Sequence, residues 1–211
     1  MKHRRSTTEP ATTRSRFLRR IPQLLASSLF CTALHAADLA KWDFTGESSP
    51  TNSTADVIDA NLTSSGVLTR GSGASSSTGS NSFRTQGFSN NGIAVTNTDY
   101  FQTTIAAAAG YNLSLTAIDA YLAGTTTFSN TPGTTNQFAY SLDGTTFTLI
   151  GSPLARIGNG ALATIDSSTI TALQNVPSGT TITLRFYASG QTTTGGWGFS
   201  SASSGSYGLA L

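Results

Sequence analysis

The sequence predicts an all-β chain, an antiparallel β-sandwich behind an export leader, and three observations carry that prediction. From residue 37 onward apolar residues recur with a period near two, and no helical period persists. Clusters of Gly, Ser, Thr and Asn interrupt the alternation at short intervals, as turns between strands do. Only 10% of residues are charged, against roughly 25% in an average soluble protein, so solubility falls to hydroxyls and amides.

Residues 1–36 read as a cleavable signal peptide. Basic residues from Lys2 to Arg20 precede the apolar run "IPQLLASSLFCTAL", Ile21 to Leu34, and small residues follow in "HAAD", with cleavage expected after Ala36. The run is shorter than the roughly 20 apolar residues that span a bilayer. Pro22 and Gln23 follow Arg19-Arg20 where a twin-arginine signal wants apolar residues, and Phe30 precedes Cys31 where lipid attachment wants a small one, which favours general secretion.

Losing the leader changes the chemistry available. The formal net charge is +2, but the leader holds Lys2, Arg4, Arg5, Arg14, Arg16, Arg19 and Arg20 against Glu9 alone. Residues 37–211 keep five basic and nine acidic side chains, a net charge of −4, which removes the electrostatic motive for binding nucleic acid. His3, Cys31 and His35 depart as well. A mature chain without Cys or His has no disulfide, thiol nucleophile, imidazole base or ordinary zinc site.

Residues 37–211 form one domain in this reading, long enough for a single sizeable core. "AKWDFT" opens it with Ala40, Trp42 and Phe44 on one face of a strand. "GSGASSSTGSNS", Gly71 to Ser82, has no side chain large enough for a core and reads as a long surface loop, the least ordered part of the domain. "TDYFQTTI" is the next strand. In "AAAAGYNLSLTAIDAYLAG" the phase of Tyr111, Leu113 and Leu115 gives way to that of Ile118, Ala120 and Leu122, which predicts a β-bulge near Ala117.

"QFAYSLDGTTFTLIG", Gln137 to Gly151, reads as a hairpin. A two-residue type I′ turn at Asp143-Gly144 would pair Tyr140 with Phe147 and Phe138 with Leu149; a three-residue loop with a bulge at Gly144 would shift that register by one. Either way Asp143 is a turn residue before it is a catalyst. A short helical turn is expected around Ile170 to Gln174, ahead of Pro177. "TTITLRFYAS" is the clearest strand, with Ile182, Leu184 and Phe186 inward, and "GGWGFSS" and "SYGLAL" close the domain. Phe101, Phe138, Tyr140, Phe147 and Phe186 are expected in the sandwich interior.

The run from "NSFRTQGFSNNGIAVTNTDYFQTTI" through "FAYSLDGTTFTLIG" to "TITLRFYASGQTTTGGWGFSSASSGSYGLAL" resembles a bacterial extracellular β-sandwich domain of PEP-CTERM-type secreted and surface proteins. The resemblance spans nearly all of residues 37–211 and rests on structural motifs without an attached activity. It implies a jelly-roll-like sandwich at or near the cell surface. Such relatives continue into a Pro-Glu-Pro motif, an apolar helix and a basic tail, whereas this chain stops at Leu211 within its last expected strand, so the expectation is a released protein or a piece of a longer surface protein. "SLDGTTF" also resembles the Asp-box hairpin of sialidases, but that box wants one more residue between its Asp and Gly and occurs here once; no sialidase is inferred.

Carboxylates are the acid-base groups left: Asp38, Asp43, Glu47, Asp56, Asp59, Asp99, Asp119, Asp143 and Asp166. A glycosidase needs two of them about 5 to 9.5 Å apart across a cleft. Asp56, Asp59 and Asp119 are the candidate ligands for a structural calcium ion, completed by loop carbonyls; no other cofactor is expected. Trp197, with Tyr187 and Gln191 nearby, is the candidate sugar-binding surface, because its flanking glycines either uncover the indole or let it pack tightly. The expectation is therefore a secreted or cell-surface, non-catalytic module with a structural or adhesive role. Extracellular polysaccharide or surface proteins are its expected partners, and the mature chain is expected to hold no membrane span. A carbohydrate-binding module is the alternative, and a carboxylate-based glycosidase a distant one.

Overall fold

The computed structural model describes residues 37–211; the leader expected over residues 1–36 lies outside them. Within the described residues the architecture is all-β, with antiparallel ladders throughout its sheets and one 3₁₀ turn, Thr171–Leu173, where a helical turn was expected. No described helix is long and apolar enough to cross a membrane.

One sheet of eight strands is centred on Ala117–Gly124. Along one side of that strand run Trp197–Ser200 and then Leu209–Ala210, one line of pairing from which residues 201–208 loop out. Along its other side run Gly160–Ala161 and Ile165–Asp166. Ser82–Thr85 pairs with Trp197–Ser200, Ala40–Trp42 pairs with Leu209–Ala210, and Val57–Ile58 completes that edge. The second sheet, of seven strands, is centred on Thr181–Ser189, flanked by Thr134–Ser141 and Phe101–Ala106. Val67–Arg70 and Ser53–Thr54 extend it on one side, Thr148–Leu149 and Leu154–Arg156 on the other. Asn112–Leu113 and Val176–Pro177 form a separate ribbon.

The two sheets face each other through aromatic rings. Phe186 of the seven-stranded sheet lies 4.7 Å, centroid to centroid, from Phe199 of the eight-stranded one, and Phe83 lies 4.9 Å from Phe101. Phe44, Phe88 and Phe138 join this cluster, and all seven rings are buried. The alternation read from the sequence puts them there: Ile182, Leu184 and Phe186 are buried together, as are Ala40, Trp42 and Phe44. Aromatic pairs of this kind add about 0.5–1.5 kcal/mol each beyond the area they bury. The result is a sandwich-like packing of two antiparallel layers.

Four local expectations are revised. The phase change near Ala117 is a break between two strands, not a bulge within one: Asn112–Leu113 pairs in the ribbon, while Ala117–Gly124 belongs to the eight-stranded sheet. The hairpin takes the shifted register, with Tyr140 opposite Thr148. Type I′ geometry needs positive φ at both turn residues, and here Gly144 has it, at 74°, while Asp143 does not. A one-residue shift turns every side chain of the second strand over, so Phe147 leaves the interior for the outer face, where Arg185 lies over its ring at 3.7 Å. Finally, the 71–81 loop is fastened along its length. Gly71 and Gly73 donate backbone N–H bonds to Tyr100 and Thr98, Ser77 donates to Arg84, and the Thr85 hydroxyl donates to the Ser75 carbonyl.

Candidate functional site

An opening between the layers sits where their two outermost strands both leave the ladder. Next to Thr134–Ser141, pairing stops at Leu149, with the Ile150 N–H still donating to the Phe138 carbonyl, and resumes at Leu154, so residues 151–153 swing out. The swing is held by Gln137, whose Nε2 donates to the carbonyls of Ile150 at 3.4 Å and Gly151 at 2.7 Å. Gly151 turns the chain with φ 57°, a value L side chains disfavour. On the opposing layer, residues 162–164 separate the two short strands beside Ala117–Gly124, with the Leu162 N–H still donating to the Ala120 carbonyl. Together these segments line a partly open cavity of about 160 Å³.

Its walls divide by chemistry. Phe138, Ile150, Leu162 and Ile165 supply apolar surface, and Gln137, Ser152, Thr164 and Asp166 supply polar atoms, the Thr164 hydroxyl being taken up by Asp119. The Gln137 amide has both donors engaged on carbonyls, and no described residue donates to its Oε1. The Asp166 Oδ1 accepts from the Ser168 N–H and hydroxyl, bonds that hold its carboxyl below the usual carboxylate range. The polar wall therefore offers acceptor oxygens, the one on Asp166 charged, together with the Ser152 hydroxyl.

The sequence-predicted sugar residues occupy different environments. Trp197 is fully buried, and its Nε1 donates to Asn136 Oδ1 at 2.9 Å, itself fully buried. The flanking glycines serve tight packing: a Cβ on Gly195 would lie 2.3 Å from the Phe128 side chain, and one on Gly124 would meet the Gly196 carbonyl at 1.9 Å. No indole face is left for a sugar. Tyr187 is also buried, its hydroxyl donating to the Val95 carbonyl, and burial pushes its ionisation up. Gln191 is exposed and donates to the Gly133 carbonyl. The three do not form one surface.

The carboxylates are held in separate local structures. Asp56 accepts from the Asp43 N–H at 2.6 Å, Asp59 from the Asn61 N–H at 2.7 Å, and Asp119 from the Thr164 hydroxyl at 2.5 Å. Among the described residues no group of three His, Cys, Asp or Glu side chains converges in a way that could hold a metal ion. Asp143 accepts from the Thr145 and Thr146 N–H groups at 2.8 and 2.7 Å and from the Ser141 hydroxyl, which pulls its carboxyl far below its ordinary value. In Asp43 burial favours the protonated form, yet bonds from the Thr45 side chain, the Gly205 and Thr45 N–H groups and Ser201 outweigh it and bring the group down to about 2. Glu47 and Asp99 go the other way, raised mainly by burial; Ser53 bonds the first and Ser89 the second, and one oxygen of each is buried without a partner.

Sequence reasoning missed the cavity. Gln137 was visible as a polar residue on a strand, and Gly151-Ser152-Pro153 as a turn signal after it, but only long-range pairing places residues 162–165 opposite them. No protein-family model matches the chain, and neither do the curated proteins or the solved structures searched.

Proposed function

We propose that this chain is an exported, non-catalytic module of the cell surface or extracellular matrix, a jelly-roll-like sandwich with a structural or adhesive role. One observation carries the reading: all nine carboxylates in residues 37–211 have an oxygen bonded to a neighbouring backbone N–H, hydroxyl or ammonium, the Asp99 bond coming from the Ser89 N–H. Asp38 meets Lys41, Asp43 meets Gly205, and Glu47 meets Ser53. Asp56, Asp59, Asp119, Asp143 and Asp166 make the bonds described above. Carboxylates used this way fix turns and loop bases rather than stand free across a cleft for acid-base work. The jelly-roll-like winding is supported by the centre of the seven-stranded sheet, where Thr181–Ser189 lies between two strands drawn from much earlier in the chain.

Export is supported by the three-part leader. The test is to express the full chain in a bacterium, fractionate, and sequence the N-terminus of the recovered protein. Recovery outside the cytoplasm with Ala37 first, bound to surface or matrix material, is the expected result. An intact leader on a cytoplasmic protein overturns the proposal.

A further inference from the structure

We propose that the 160 Å³ cavity between the splayed edges is a binding site for a single neutral pyranose unit, the end residue or branch of a saccharide. Size decides first. Sites for drug-sized ligands run from about 300 to 1,000 Å³, whereas a cavity near 150 Å³ is filled by one six-membered ring. The space therefore admits one ring and no extended chain.

The lining decides between kinds of ring. Phe138, Ile150, Leu162 and Ile165 offer an apolar surface suited to the C–H face of a sugar or to a hydrocarbon. The polar wall separates the two. Gln137 has its donors occupied, leaving Oε1, and Asp166 has one oxygen bonded to Ser168, leaving the other. These acceptor oxygens and the Ser152 hydroxyl are matched by a ligand that carries hydroxyls of its own. A hydroxyl-bearing ring supplies donors from one edge and C–H surface from its face. A hydrocarbon supplies no donors, and an anion would be repelled by Asp166, whose carboxyl is held ionised.

The site is built as well as shaped. Gln137 holds the Ile150 and Gly151 carbonyls where the chain turns out of the ladder over residues 151–153, and the Leu162 N–H bond to Ala120 keeps the opposing segment anchored on its own sheet. Neither device depends on the expected leader, nor on the surface role proposed above, so the two proposals fail separately.

The test titrates full-length, ¹⁵N-labelled protein with methyl gluco-, galacto- and mannopyranoside, and in parallel with benzene, following amide shifts. The expected result is saturable shifts from at least one glycoside, with a Kd in the millimolar range, concentrated on Gln137, residues 150–154 and residues 162–166. In Leu162→Trp, which fills the cavity, affinity should drop by at least about tenfold while the remaining spectrum keeps its dispersion; Asp166→Asn should weaken binding about threefold. Absence of glycoside shifts, shifts centred elsewhere, or saturable binding of benzene alone overturns the inference. The wild-type map decides the matter even where a variant fails to fold.

Discussion

The two faces of the seven-stranded sheet both carry aromatic side chains, and they use them differently. On the inner face Phe101, Phe138 and Phe186 pack against each other and against Phe199, and the one cation near them is the Arg70 guanidinium, 5.1 Å from the Phe101 ring. On the outer face Tyr100 and Phe147 hold the Arg185 guanidinium between them at 3.8 and 3.7 Å, Arg185 donates to Gln102 Oε1, and the Tyr187 hydroxyl is tied to the Val95 carbonyl. The inner layer gains from complete removal of apolar area from water. The outer layer gains from covering apolar rings while leaving every polar tip a partner. A strand of strict alternation therefore builds two different environments from one residue class, and the distinction lies in what the opposite element brings.

Breaking the inner layer should cost most. Phe199→Ala removes the ring that touches Phe44, Phe101, Phe138 and Phe186, and the expected loss is about 3–5 kcal/mol in urea unfolding, with an unchanged slope. Gly195→Ala tests the same dry layer by overfilling: its Cβ meets the base of the Phe128 side chain, which cannot swing away, and the expected loss is about 1–3 kcal/mol. A neutral result there would mean that the Phe128 loop moves freely, and the contrast between rigid interior and adaptable periphery would fall.

The outer layer should respond less. Arg185→Ala is expected to cost about 0.5–1 kcal/mol, since the side chain is only partly buried; a loss as large as that of Phe199→Ala would erase the distinction. The smallest effects are pH-dependent and opposite in sign. Asp99 is raised by burial, so its folded form binds protons more readily than the unfolded chain, and its ionisation costs stability as pH rises through the raised value. Asp99→Asn should therefore be more stable than wild type at pH 7, with the gap closing as pH falls toward about 4, the unfolded carboxylate range. Asp143 is lowered by backbone N–H bonds, so its contribution is complete above about 4 and fades as pH falls through its folded value. Asp143→Ala should be the less stable protein at pH 7, and its deficit should shrink only in stronger acid. Parallel curves for the two variants would refute this division of roles.

The hairpin shows where local reading stops. "SLDG" marks a turn unambiguously, and Asp143 does serve one, but the turn type rests on which N–H groups reach its carboxylate. Because Thr145 and Thr146 both do, the loop lengthens, the register moves by one, and Phe147 changes face. Trp197 makes the same point: "GGWG" permits either an uncovered indole or a packed one, and the choice is made by Asn136, sixty-one residues earlier in the chain. The carboxylates expected around calcium, Asp56, Asp59 and Asp119, carry no local signal of mutual distance, and each is held by a different neighbour.

By itself the sequence determined the period-two alternation, the positions of most turns, and the lack of imidazole and thiol groups in residues 37–211, because each of these follows from residue type and near neighbours. Tertiary structure alone decided the registers, the burial of loop rings such as Phe88 and Phe128, and the cavity opposite Gln137. Those depend on which distant backbone groups satisfy one another, and a β-layer closes its hydrogen bonds across the chain rather than along it.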